Sequence, residues 1–145
     1  MSSGPGIIDG PFSMSSDDPR FDRLFMEAAS RPPGGVPKIT TVRSVLLSKR
    51  PTKTTVGLTR YSRVRFFFRS HPRQTITFYS HLFNALSDPA AVAVIAHELA
   101  HAWLNEHVRP EESRTREREA DGVARSWGFG AELDALDREA DTVNS

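Results

Sequence analysis

The chain has 145 residues and no cysteine. Disulfide staples and thiolate metal sites are thereby excluded, so the fold must rest on a packed core, and any bound metal must be held by nitrogen and oxygen. No stretch reaches the ~18 uninterrupted apolar residues of a membrane-crossing helix. The segment Met1–Gly10 lacks the basic and apolar regions of a signal peptide. A soluble, cytoplasmic protein with no membrane partner is therefore expected. Lysine is scarce, three against sixteen arginines, which hints at a GC-rich bacterial or phage genome and carries no mechanism. Acidic residues are missing between Ala28 and Ser87, a stretch that holds eleven Lys and Arg. Residues 88–145 hold six basic and thirteen acidic side chains, and the whole chain is at +1. Such a split suits a nucleic-acid surface or acidic substrates. It also arises if a basic sheet packs beside acidic helices, which is the preferred reading.

What is present in strength is an apolar segment, Ala90 to Leu104, interrupted by His97-Glu98-Leu99-Ala100-His101. Two histidines four apart on a helix lie one turn on, with Cβ atoms about 5–6 Å apart, the separation needed to grip one ion. Glu98 projects roughly 100° away and can reach a water there without being a ligand. This H-E-x-x-H pattern is the signature of a zinc-dependent hydrolase. With five His in 145 residues it would still arise by accident about 1% of the time, so context must decide. The context is a helix apolar nearly all round, with Val92, Val94, Ile95, Leu99, Ala102, Trp103 and Leu104. Imidazoles and a carboxylate inside such a helix are costly unless paired or coordinated. Asp88 as N-cap and Pro89 after it give the start. Core histidines satisfied by backbone carbonyls are the weaker alternative.

An open catalytic zinc site takes three protein ligands and leaves a fourth position for water. His107 completes the ligand spacing of the metzincins. That family has glycine where this chain has Leu104 and carries a downstream methionine turn, whereas the methionines here are Met1, Met14 and Met26. His107 also suits a helix end, where the dipole favours it. The other candidate is Glu117. After Pro110, residues 111–127 read as a helix closed by Gly128, with Glu117, Ala120, Asp121, Ala124 and Trp127 on one face. Two carboxylates on a small-residue stripe suggest close packing on another helix around a cation. Glu117 is the preferred ligand. Asp121, one turn on, is placed to orient a ligand histidine, and Glu119 with Arg116 falls on a solvated flank.

H-E-L-x-H followed by E-x-x-A-D resembles the gluzincin metallopeptidases. The nearest groups are soluble relatives of the CAAX-prenyl and HtpX-type proteases, the ImmA/IrrE-like proteases and the minigluzincins. The likeness covers roughly residues 74–137 and includes Ala124–Phe129 and a last helix with Leu133 and Leu136. It implies one Zn2+ per chain on His97, His101 and Glu117, Glu98 as the catalytic carboxylate, and Asp121 in support. It also implies a zincin-like α+β fold: a small, mostly antiparallel sheet packed on the active-site helix, then a ligand-bearing helix and a C-terminal helix. CAAX-prenyl and HtpX types are membrane-embedded, and ImmA/IrrE-like chains usually have asparagine at the place of Asp121. The subfamily is left open.

Along the chain, residues 1–16 are rich in Gly, Ser and Pro and read as a disordered tail, with 17–145 as a single zincin-like domain. Asp17 and Asp18 before Pro19 open a helix whose apolar face is Phe21, Leu24, Phe25 and Ala28. Residues 31–37 break it. Strands are expected at 39–48, 54–59, 63–69 and 74–79, then a short helix at Ser80–Leu86. In the third strand, Val64, Phe66 and Phe68 are the expected core set; Arg63, Arg65, Phe67 and Arg69 form a solvated face or, less favoured, a nucleic-acid platform. Residues 74–79 are assigned as the edge strand beside the metal that takes an extended peptide. Tyr79, Tyr61 and His71 are candidate oxyanion donors. The expected function is a zinc-dependent, endopeptidase-like peptide-bond hydrolase acting on peptide or protein. Glu98 would take a proton from the attacking water and pass it to the leaving amine. The alternative is a nucleic-acid-associated protease, or a DNA-binding protein with a zincin-like domain. SprT-like proteases join H-E-x-x-H to basic surfaces, but their third ligand is a later histidine, and none comes after His107. A purely structural zinc ranks last.

Overall fold

The computed structural model describes the backbone of residues 6–51, 57–66, 69–108 and 113–144. Side chains are described throughout these ranges except at 58–66, 69–72, 113–115 and 141–144. Helix α1 (Pro19–Ser30) starts where the sequence puts it. The Asp18 carboxylate accepts from the backbone N–H groups of Arg20 and Phe21 at 2.9 and 3.4 Å, closing two donors that the first turn cannot satisfy itself. Its buried face is Phe21, Leu24, Phe25 and Ala28, joined by Ala29. Residues 6–16, read from composition as part of a tail, are tied into this layer. Ile7 and Ile8 are buried, the Ile7 N–H donates to the Ala29 carbonyl, and β1 (Ser13–Ser15) pairs with the sheet. Two adjacent isoleucines among small polar residues sufficed to anchor the segment, which average composition hides.

The sheet holds β1, β2 (Val42–Ser48), β4 (Arg69–Tyr79) and β3 (Gly57–Phe66), in that spatial order. β1 runs parallel to β2 and β2 parallel to β4; only the β3–β4 pair is antiparallel. The expected mostly antiparallel sheet is therefore corrected. The chain reaches β2 from β1 through α1, a helical crossover of the kind that joins parallel strands, and β4 inserts between β2 and β3. The same order corrects the edge assignment: β4, which contains 74–79, is interior, and β3 is the edge. Of the expected strands 54–59 and 63–69, the described positions 57–59 and 63–66 belong to one strand, β3, and Arg69 opens β4, while 54–56 and 67–68 lie outside the described residues. The ladder runs unbroken from Gly57 opposite Phe78 to Phe66 opposite Arg69. It puts positions 63 and 65 on the face of Ile76 and Phe78, and positions 64 and 66 on the other. Alternation within one strand gives two faces, and only the partner's register says which is inward. Phe68 lies outside the described residues.

Phe78, Phe21, Phe25 and Phe83 stack at ring separations of 5.3–6.4 Å. This cluster holds α1 against the sheet. Helix α3 (Asp88–His107) comes after the short α2 (Ser80–Phe83). Its N-cap is Ser87, one residue before the expected Asp88, and the Ser87 hydroxyl accepts from the Ala90 N–H. Two polar nodes fix α3 on the sheet. Buried Gln74 donates from its amide to Thr41 Oγ1 and to the Ala102 carbonyl, both at 2.8 Å, and its carbonyl accepts from Asn105. Glu106 accepts from the N–H and hydroxyl of both Thr40 and Thr41 at 2.7–3.0 Å. Helix α4 (Ser113–Ala124) packs on α3 through Ala120 and Ala124, both fully buried. A kinked segment, Arg125–Phe129, then turns the chain into α5 (Gly130–Asn144). Gly128 has φ 100° there, a left-handed conformation that glycine adopts without penalty, as expected for the helix stop.

Candidate metal centre

The motif lies in the middle of α3, where Ala96, Leu99, Ala100 and Ala102 beside its polar residues are apolar and buried. Successive turns bring His97 and His101 together, rings 4.6 Å apart and nearly perpendicular. Their Nε2 atoms are separated by 3.1 Å. The small side chains of Ala120 and Ala124 let α4 approach closely, and Glu117 reaches across from it. One carboxylate oxygen stands 2.9 Å from His97 Nε2 and the other 2.9 Å from His101 Nε2. The three residues form the one group of such donors, among the described residues, that can hold a metal ion. A zinc bound at ~2.0–2.1 Å in a tetrahedron needs donor–donor edges of about 3.3 Å. The imidazole–imidazole distance and each carboxylate–imidazole distance are within a few tenths of an ångström of that, the carboxylate meeting the two rings through different oxygens. Two neutral imidazoles and one carboxylate also make a donor set with one negative charge, suited to a divalent cation.

Protonation agrees with this chemistry. Burial lowers the His101 pKa below its ordinary value, and the fields of His97 and Arg116 lower it further, against the opposing pull of Glu117. The neutral imidazole is the metal-binding form. Arg116, placed from the sequence on the flank with Glu119, is 6% exposed and 3.9 Å from the Glu119 carboxylate. Its spacing of four to Ala120 and eight to Ala124 was the available signal, since it sets Arg116 on the buried stripe.

Glu98 is 7% exposed, on the helix face turned to the sheet. The edge strand passes directly over it. A Cβ built on Gly57 would stand 2.9 Å from Glu98 Cγ and 3.2 Å from Phe78 Cδ1, so only glycine lets the strand lie this close. Sequence reasoning missed Gly57. The usable signal was a glycine inside a strand pattern, which marks close backbone approach.

The remaining candidates are placed less closely. Asp121 hydrogen-bonds Arg125 Nε at 3.0 Å, and Arg125 also donates to Asp134 at 3.1 Å. Among the described residues no hydrogen bond joins Asp121 to His97 or His101. Tyr79 ends β4 on the face opposite Phe78, away from Gly57 and Glu98. Tyr61 pairs with Gln74 and His71 with Val64; the side chains of both lie outside the described residues. His107 is held by the Lys38 carbonyl at 2.8 Å and by Glu106 at 3.3 Å, in the helix-end role rather than at the triad.

Residues 41–111 match the model of peptidase family M48. The matched stretch runs from the start of β2 through the whole of α3, so it contains both histidines and Glu98 and stops before Glu117. It supports a zinc metallopeptidase family, whose substrates are peptides or proteins. No curated protein and no solved structure matches the chain. Among the described residues, no helix is long and apolar enough to cross a membrane.

Proposed function

We propose that the chain is a zinc-dependent peptide-bond hydrolase of zincin-like fold, with the metal on His97, His101 and Glu117. The observation that carries this is the convergence of two Nε2 atoms and one carboxylate at 2.9–3.1 Å, beside a buried Glu98 that the edge strand covers at Gly57. Zinc, when bound, would supply the Lewis acidity that polarises a scissile carbonyl and eases deprotonation of a water. The chain's own residues do the rest. Glu98 accepts the proton of that water on its carboxylate and returns it to the leaving amine. Burial keeps bulk water from competing for this proton. The open edge of β3 takes the substrate as an added strand, so that its backbone is fixed as it passes Glu98. Of the three oxyanion candidates we retain Tyr61, because its register position shares the face of Gly57.

Glu98→Gln tests this reading. The amide preserves volume and cannot take the proton, so cleavage of a peptide library by the zinc-loaded variant should fall by at least ~100-fold. Full activity in purified Glu98→Gln would end the proposal.

A further inference from the structure

The sheet stops at β3. No described strand pairs with its outer side, and the free N–H and C=O groups of such an edge accept one more extended chain. Gly57 sets the near end of this edge against Glu98, so whatever lies along β3 also passes the candidate base. The unbroken β3–β4 ladder assigns the two faces of the edge strand. Positions 57, 59, 61, 63 and 65 share one face with Gln74, Ile76 and Phe78, all three fully buried, and Gln74 donates to a carbonyl of α3. Arg63 and Arg65 therefore hold register positions on the α3 side of the edge strand. At ~3.3 Å per residue they stand about 20 and 26 Å along from Gly57. Arg60 holds a position on the opposite face, and no Asp or Glu occurs anywhere between Ala28 and Ser87.

We propose that β3 selects an acidic polypeptide: an extended segment pairs with this edge and carries Asp or Glu roughly six to eight residues from the bond presented to Glu98. The inference rests on the hydrolase reading and names its substrate class. A polypeptide fits better than a nucleic acid, because only an extended chain uses both the strand edge and its contact with Glu98. A polynucleotide needs the arginines alone.

The test uses the full chain loaded with zinc and two peptides of one sequence, carrying either Glu or Gln at the positions that would face Arg63 and Arg65. At the ordinary strength of such ion pairs, two of them predict a kcat/KM about five-fold higher for the Glu peptide. The preference should shrink at ~0.5 M salt and approach unity in Arg63→Gln/Arg65→Gln. Should that double variant fail to fold, the wild-type ratio and its salt dependence decide alone. Binding is measured separately by fluorescence anisotropy on Glu98→Gln, where turnover plays no part. Tighter binding of the Glu peptide without cleavage in wild type would retain the docking inference and discard the hydrolase reading. Cleavage and binding that do not distinguish the two peptides would overturn the inference and leave the hydrolase intact. Displacement of the Glu peptide by a DNA duplex with a log–log salt slope of several units would also overturn it, assigning the arginines to phosphates.

Discussion

Adding one methyl group at Gly57 probes the contact on which the site's architecture turns. In Gly57→Ala the new Cβ would meet Glu98 Cγ at 2.9 Å and Phe78 Cδ1 at 3.2 Å. Gly57 is not among the glycines with positive φ, so the penalty is steric and carries no backbone strain. Overpacking of this kind costs about 1–3 kcal/mol. The lower entropy of alanine in the unfolded chain offsets about 0.4–1 kcal/mol. The net expectation is a loss of about 1–2 kcal/mol, read by urea denaturation of the metal-free chain. The same substitution in a Glu98→Ala background meets no Cγ, so its cost should shrink to what the Phe78 Cδ1 contact at 3.2 Å leaves. The coupling between the two sites should then be about 1 kcal/mol. Zinc content should be unaffected, since the atoms nearest the new Cβ belong to Glu98 and Phe78 and not to the three candidate ligands. An equal cost of Gly57→Ala in both backgrounds would refute the contact, and with it the claim that β3 lies flush on Glu98.

Two further outcomes come from the packing and the charges. Glu106→Ala removes four hydrogen bonds to Thr40 and Thr41 and strands the buried Thr41 hydroxyl and amide, so a loss of about 2–4 kcal/mol is expected in chemical denaturation; a loss under ~0.5 kcal/mol would show that this node does not hold α3 to β2. His101 has a lowered pKa in the folded chain, which means the folded state binds fewer protons than the unfolded one. Its contribution is fully present above the unfolded value near ~6.5 and is lost as pH falls from there through the folded value. The metal-free wild type should therefore lose more stability than His101→Gln as the pH drops below neutral, and identical pH profiles would contradict this.

How much of the molecule was legible in its sequence depended on whether the signal was local. Helix α1, its Asp18 cap and its phenylalanine face came directly from the 3.6-residue period. The motif histidines and Glu98 announced themselves because polar groups inside an all-apolar helix demand a reason. Glu117 stood out because two carboxylates share a stripe with Ala120 and Ala124, a pattern that needs no partner to be visible. What failed was non-local. Strand order and direction depend on which strand inserts beside which, and nothing in residues 74–79 distinguishes an interior strand from an edge. The face that each position of β3 takes is set by its register with β4, which puts 63 and 65 on the side of Ile76 and Phe78 and 64 and 66 on the other; alternation within the strand leaves that choice open.

The most direct measurement of the central claim is zinc content by elemental analysis across wild type, Glu98→Gln, His97→Ala and Glu117→Ala. An open three-ligand site predicts about one zinc per chain in wild type and in Glu98→Gln, and well below that in His97→Ala and Glu117→Ala after dialysis against a mild chelator. Undiminished zinc in a folded Glu117→Ala chain would contradict the account, because the carboxylate that spans both imidazoles would then be no ligand at all.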